Sequence, residues 1–266
     1  MNDQMNEQHH EELTRVVAPG ARKMSIIQRI ISIFIAPSEL MHNIKAHPVV
    51  LAPLILCVVI GLLSIPVTLQ GQDLLNRELS NISIERYGID LMNLTAGANE
   101  YGDDLTGALG VVTLVTTIVA TIIGPALISF ITALVLLVLS KILRGQAKLG
   151  QLFSMYLHVY VLSLIGSLIS ISLMVMTDNY LDMTSLAAII MPDGNISMFS
   201  FNVLSGISVF IIWATILTYM GVKIINDFSG VKAWIVTGIS FLGWLAIHVG
   251  TFMSTFLIWD AMGMGM

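Results

Sequence analysis

Charge is scarce in this sequence. Asp, Glu, Lys and Arg make up 11% of its 266 residues, and hydrophobic residues reach 56%. Soluble domains carry about 25% charged residues. A water-soluble fold of this length would therefore lack the polar groups to coat its own surface, whereas lipid demands an apolar coat. Cysteine is nearly absent. Cys57 stands alone, which excludes an internal disulfide and a cysteine-based zinc site, and its place inside the first apolar run marks it as a small core residue. A cleavable leader is missing from the pattern as well. Residues 1–23 are polar, with Glu11, Glu12, Arg15, Arg22 and Lys23, and contain no short apolar core. The first apolar run is expected to serve as its own uncleaved insertion signal.

Catalytic signatures are lacking too. There is no His-Glu-x-x-His, no Gly-x-Ser-x-Gly elbow, no phosphate-cradling glycine loop and no dinucleotide fingerprint. An enzyme is not expected, nor a cofactor, a catalytic residue or a metal site. His9-His10-Glu11-Glu12 has no helical His-x-x-x-His spacing and reads as part of a disordered tail. Met262, Met264 and Met266 read as a frayed end rather than a copper(I) site.

What is present is five long apolar runs, about 48–69, 108–140, 152–176, 199–225 and 234–259. Each has the roughly 20 residues needed to cross about 30 Å of hydrocarbon as helix, and none carries an acid in its middle. The expected fold is all-α, a polytopic membrane protein with five transmembrane helices. The expected organisation is a polar tail over 1–23, a single membrane domain over 24–260 and a short tail over 261–266. Lys and Arg are distributed unevenly among the segments between runs. Counting from the amino terminus, these hold five, two, three, none, two and none. Alternate segments thus hold ten against two, and the positive-inside rule places the amino terminus in the cytoplasm and the carboxyl terminus outside. The second run is long and contains Gly124-Pro125. Two crossings there would put Lys141, Arg144 and Lys148 outside, so one crossing kinked at Pro125 is expected.

Two further stretches are amphipathic. Over 24–36, Ser25, Gln28, Arg29 and Ser32 recur at helical spacing and isoleucines with Phe34 cover the rest. This predicts a helix lying on the inner leaflet. Pro37 ends it, and Ser38 is expected to cap a short second helix. The acidic segment 70–107, with Asp73, Glu78, Glu85, Asp90, Glu100, Asp103 and Asp104, reads as an outer loop holding short surface helices. The sequons at Asn81, Asn93 and Asn195 fall on segments expected outside.

Inside the expected spans, His158 and His248 are the candidate polar sites, since an ionisable group at membrane depth is a functional hypothesis by default. A neutral imidazole bonded to a neighbouring helix is the simpler reading. Ser163, Gly166, Ser167 and Ser170 in the third run, and Ala246 with Gly250 in the fifth, have the small-residue spacing of helix-packing seams.

A family pattern emerges from the order of these features. Pro37-Ser38-Glu39 follows the basic helix, and Ile44 and Pro48 open the first run. Lys141-Ile-Leu-Arg144-Gly145, then Gly150, Phe153 and Tyr156, lead into the third, and Gly221 and 229–233 lead into the fifth. Over roughly 28–257 the chain resembles the Yip family of membrane proteins, named for interaction with Ypt/Rab GTPases, in its shorter bacterial-type form. The resemblance implies five membrane helices and a role without catalysis. The amino-terminal region has no Asp-Leu-x-Gly-Pro, which argues against a Rab-type GTPase as partner. The expected role is a noncatalytic adaptor, scaffold or accessory protein in the cell membrane. Its partners would be lipid and either another membrane protein or a second copy of the chain, and no nucleic acid. The alternative is a small transporter or channel subunit built on a broken second span.

Overall fold

The computed structural model describes residues 23–87, 103–179, 181–190 and 198–259. The described residues form nine helices and no strand. In chain order these are α1 Ile26–Ile35, α2 Pro37–Ala46, α3 Leu51–Tyr87, α4 Asp103–Ile142, α5 Leu149–Thr177, α6 Leu186–Ile190, α7 Met198–Ser205, α8 Val209–Asn226 and α9 Gly230–Trp259. Five contain stretches long and apolar enough to cross a membrane: Leu51–Leu74, Leu114–Ile142, Leu149–Thr177, Val209–Asn226 and Gly230–Thr251. The all-α, five-span architecture expected from the sequence is the observed one. The tail motifs His9-His10 and Met262 to Met266 lie outside the described residues, as do Asn93 and Asn195.

The third span organises the bundle. Helix α5 packs on α3, α4 and α8 and also touches α1 and α2, while α9 packs mainly on α8. Leu152, Met155, Val159 and Leu162 of α5 meet Ile33, Leu40, Met41, Ile44, Leu217 and Ile225 in one buried cluster. Large apolar side chains also point outward along every span, among them Leu51, Val138, Ile169, Ile212 and Leu242. In water such a surface would drive aggregation. In a bilayer it is the solvent-compatible face.

Four details depart from expectation. First, the helix of the first span does not end near residue 69 but runs on to Tyr87, so 70–87 is helix, not a loop with separate short helices. No glycine or proline interrupts the chain between Gly71 and Gly88, so nothing stops propagation. Second, α4 passes through Pro125 as one 40-residue helix. The run is one continuous helix, and the broken span of the transporter reading is not observed. Third, the fourth run is divided. Helix α7 ends at Ser205, and the span begins only at Val209, where the Ser208 side chain accepts from Ile211 N at 3.3 Å as N-cap. The break is fixed from a distance: Leu186 N donates to Ile207 O (2.8 Å) and Val209 N to Thr184 O (3.1 Å). Fourth, Ser38 does not cap α2. Ala36 is the N-cap, and Pro37 takes the first turn, where its missing N–H costs nothing.

Candidate functional site

Helix α1 begins with a capping box. Ser25 Oγ accepts from Gln28 N (3.3 Å) and Ser25 N donates to Gln28 Oε1 (2.9 Å), which satisfies two donors the first turn would leave open. Its orientation is the reverse of an ordinary surface helix. Arg29, Ser32 and Ile33 are buried against the bundle, while Ile27, Ile31, Phe34 and Ile35 are exposed. Of the polar stripe seen in the sequence, Arg29 and Ser32 face protein, while Ser25 and Gln28 stay exposed beside the isoleucines.

Arg29 is 2% exposed. Its Nη2 donates to the His47 carbonyl at 2.9 Å, tying α1 to the end of α2, and its Nη1 has no hydrogen-bond partner among the described residues. Burial holds the guanidinium below its ordinary value, but arginine stays protonated in proteins. A cation thus sits in an apolar setting. His158 of α5 lines the same small, almost wholly apolar pocket. His158 is 3% exposed, and its Nδ1 lies 2.7 Å from the Ser154 carbonyl. A carbonyl only accepts, so Nδ1 carries the proton and Nε2 presents a lone pair. Ser154 in turn clamps the entry to the first span: its Oγ accepts from Val49 N (3.0 Å) and donates to Val49 O (2.7 Å).

His248 stands elsewhere. Its ring stacks on Trp244 with centroids 5.5 Å apart, and Trp244 stacks on Phe241. Gly206 approaches so closely that a Cβ there would lie 2.7 Å from His248 Cδ2. The two histidines therefore belong to different contacts, one against α1 and α3, the other against α7. Gly166 admits the Phe210 ring of α8, since an added Cβ would collide with Phe210 Cγ. Ser170 Oγ lies 2.7 Å from Thr184 Oγ1, which bonds Asp182, so Ser170 joins α5 to the segment leading into α6. Gly250 and Gly124 have no described atom within 4 Å of an added Cβ. Neither is a packing seam among the described residues.

Gly145 belongs to a contact that sequence reasoning missed. A Cβ at Gly145 would collide with Asn226 Oδ1 and lie 2.8 Å from Phe228 Cζ and 2.9 Å from Ser140 O. That same Asn226 Oδ1 accepts from Ala147 N (3.1 Å), and its Nδ2 donates to Val222 O. Lys232 Nζ reaches Leu143 O, Gln151 Nε2 reaches Lys45 O (2.7 Å), and Lys45 pairs with Asp227 at 2.6 Å. Pro37 starts α2, Glu39 lies exposed in its first turn at the positive end of the helix dipole, and Pro48 immediately precedes α3. The end of α2, the α4–α5 connection and the α8–α9 connection thus close into one face, which carries Lys45, Lys141, Arg144, Lys148, Lys223 and Lys232. The only sequence signals for this hub were a buried-type amide, Asn226, after an apolar run and the glycine at 145.

The fold is that of a multi-pass membrane protein, a helical bundle with an apolar exterior and one basic end. Comparison with known families then identifies it further. The sequence model of the Yip1 domain matches residues 31–259, most of the chain, and the protein belongs to that family. No curated protein and no solved structure matches the chain.

Proposed function

We propose that the protein is a noncatalytic membrane adaptor or accessory protein, acting through protein partners within the bilayer, with its basic face in the cytoplasm and its carboxyl terminus outside. What supports this is how its polar groups are spent. Asn226, Gln151, Ser154, Ser170 and Arg29 each tie one helix or connection to another. The product is a rigid frame bearing a basic face. Membership of the Yip1 domain family favours the same reading, and 24–260 would act as one membrane domain. The partner would be another integral membrane protein or a second copy of the chain, contacting the basic connections or the lipid-facing helices, and a Rab-type GTPase is disfavoured by the amino-terminal sequence. Cross-linking in intact membranes followed by purification in mild detergent tests the reading. A reproducible membrane-protein or self adduct that weakens when Lys141, Arg144 and Lys148 are replaced supports it. Recovery of the monomer alone, from several cross-linker lengths, counts decisively against it. The transporter alternative loses its main support, the break at Gly124-Pro125, because α4 is continuous there, and His158 and His248, which added to it, sit in separate contacts.

A further inference from the structure

We infer that the turn after α4, together with the first turn of α9, holds the phosphate of an anionic lipid, with Lys141, Arg144 and Lys232 as its donors. Helix α4 closes in a turn of two backbone bonds. Gly145 N donates to Ser140 O (2.7 Å) and Arg144 N to Lys141 O (3.0 Å), and Arg144 is left-handed with φ 63°. Glycine ordinarily fills that position. Here glycine stands one residue on, where Asn226 and Phe228 leave no room for a Cβ, and an arginine takes the left-handed site. Two ammonium groups converge on the same turn. Lys141 Nζ donates to Gly145 O (3.2 Å), and Lys232 Nζ donates from α9 to Leu143 O (3.3 Å). Residues 143 and 145 span no more than about 7 Å of chain, so both ammonium groups and the Arg144 side chain belong to one patch.

A lysine near a helix end commonly serves the last carbonyls. A carbonyl is neutral, however, and an ammonium has three donors. The turn therefore keeps three positive charges and spare N–H groups. All three residues are exposed. Among the described residues none of them is in an ion pair, and Asp227 on the same face is paired with Lys45. What covers the patch follows from its surroundings. Helix α4 ends and α9 begins at these cations, and exposed apolar side chains lead away from them: Val138 and Ile142 on α4, and Val231, Ile235 and Ile239 on α9. The spacing of four places each set on one helix face. Trp234, two residues beyond Lys232, is exposed and stacks on Tyr219, as aromatics do where hydrocarbon meets headgroups. A free phosphate would use the cations and leave the apolar stripes idle. A lipid uses both, its phosphate on the cations and its chains along the stripes, in the manner of basic recesses that select anionic lipids. A zwitterionic headgroup would add a further cation to the patch and is disfavoured. The inference needs no protein partner and so does not rest on the adaptor reading.

Native mass spectrometry tests it, on the full chain in mild detergent equilibrated with equal amounts of phosphatidylglycerol and phosphatidylcholine. Each cation beside an anionic headgroup is worth about five-fold in affinity. One phosphatidylglycerol is therefore expected to be retained over phosphatidylcholine by about five-fold or more. Lys141→Gln with Lys232→Gln is expected to abolish that preference. Lys23→Gln with Arg77→Gln, an equal loss of charge away from the turn, is expected to leave it nearly unchanged. No preference in the wild-type protein, or equal losses in the two double variants, overturns the inference. Arg144→Gly separates the site from the fold. Glycine suits the left-handed turn, so this variant is expected to melt no lower than wild type while its preference falls several-fold. A lower melting temperature or an undiminished preference overturns the assignment of Arg144. Inorganic phosphate alone, at millimolar concentration, is expected to leave the bound lipid in place. Displacement would make a free anion the occupant and overturn the lipid assignment.

Discussion

Asn226→Ala separates a clamped basic face from three independent loops. Asn226 is 2% exposed, and its Oδ1 is the partner of Ala147 N, itself in a residue 1% exposed. Removing the amide strands that N–H where water does not reach, a penalty of about 1–3 kcal/mol. The lost bond to Val222 O adds little, because that carbonyl remains within α8. Gly145→Ala attacks the same hub by overpacking: its Cβ meets Asn226 Oδ1, Phe228 Cζ and Ser140 O, which again costs about 1–3 kcal/mol. Asn226→Ala removes one of these three obstacles. The double variant is therefore expected to cost less than the sum of the singles, though more than either alone. Unfolding by SDS in mixed micelles measures this, with Trp234 fluorescence as readout, since Trp234 stacks on Tyr219 beside the hub at 4.4 Å. If Asn226→Ala unfolds within about 0.5 kcal/mol of wild type, the range expected of an inconsequential surface change, the clamp is not there. Strict additivity would refute the shared contact.

Gly166→Ala is expected to weaken the α5–α8 contact by about 1–3 kcal/mol through collision with Phe210, whereas Gly250→Ala, whose added Cβ meets no described atom within 4 Å, is expected to leave the same unfolding curve nearly unmoved. Lys45→Ala should change stability by less than about 1 kcal/mol, because its pair with Asp227 is exposed, 33% and 61% at the two side chains, and screened by water and salt; a larger loss would mean that Lys45 does more than pair. Reporter fusions after residues 146 and 227 are expected to read out on one side, the cytoplasm, and a fusion after 193 on the other, and a split between the first two would contradict the hub.

The five spans were legible because the signal is length and composition alone: about twenty residues without charge read as a crossing whatever packs against them. What a span packs against leaves a weaker trace. The charge count chose one crossing over two for 108–140, and α4 agrees. The single reading of 199–225 failed because its break at Ser205 to Ser208 is held by backbone bonds from Thr184 and Leu186, some twenty residues away. Ser208 as an N-cap was the one local clue. The first span was read too short because its continuation to Tyr87 is polar, and hydropathy marks where lipid ends, not where a helix does.

Helix α1 shows why the site was harder to see than the fold. Its periodicity was plain in the sequence, but periodicity states only that two faces differ. In water the polar face turns outward. Here the outside is apolar, and a helix at its edge minimises its cost by turning Arg29 and Ser32 toward protein and Ile27, Ile31 and Ile35 toward lipid. Arg29 and His158 line one pocket although they stand 129 positions apart in the chain, and no spacing rule links the two. The apolar exterior of the bundle and the inward-turned Arg29 of α1 thus share one cause, a surrounding that favours apolar side chains on the outside.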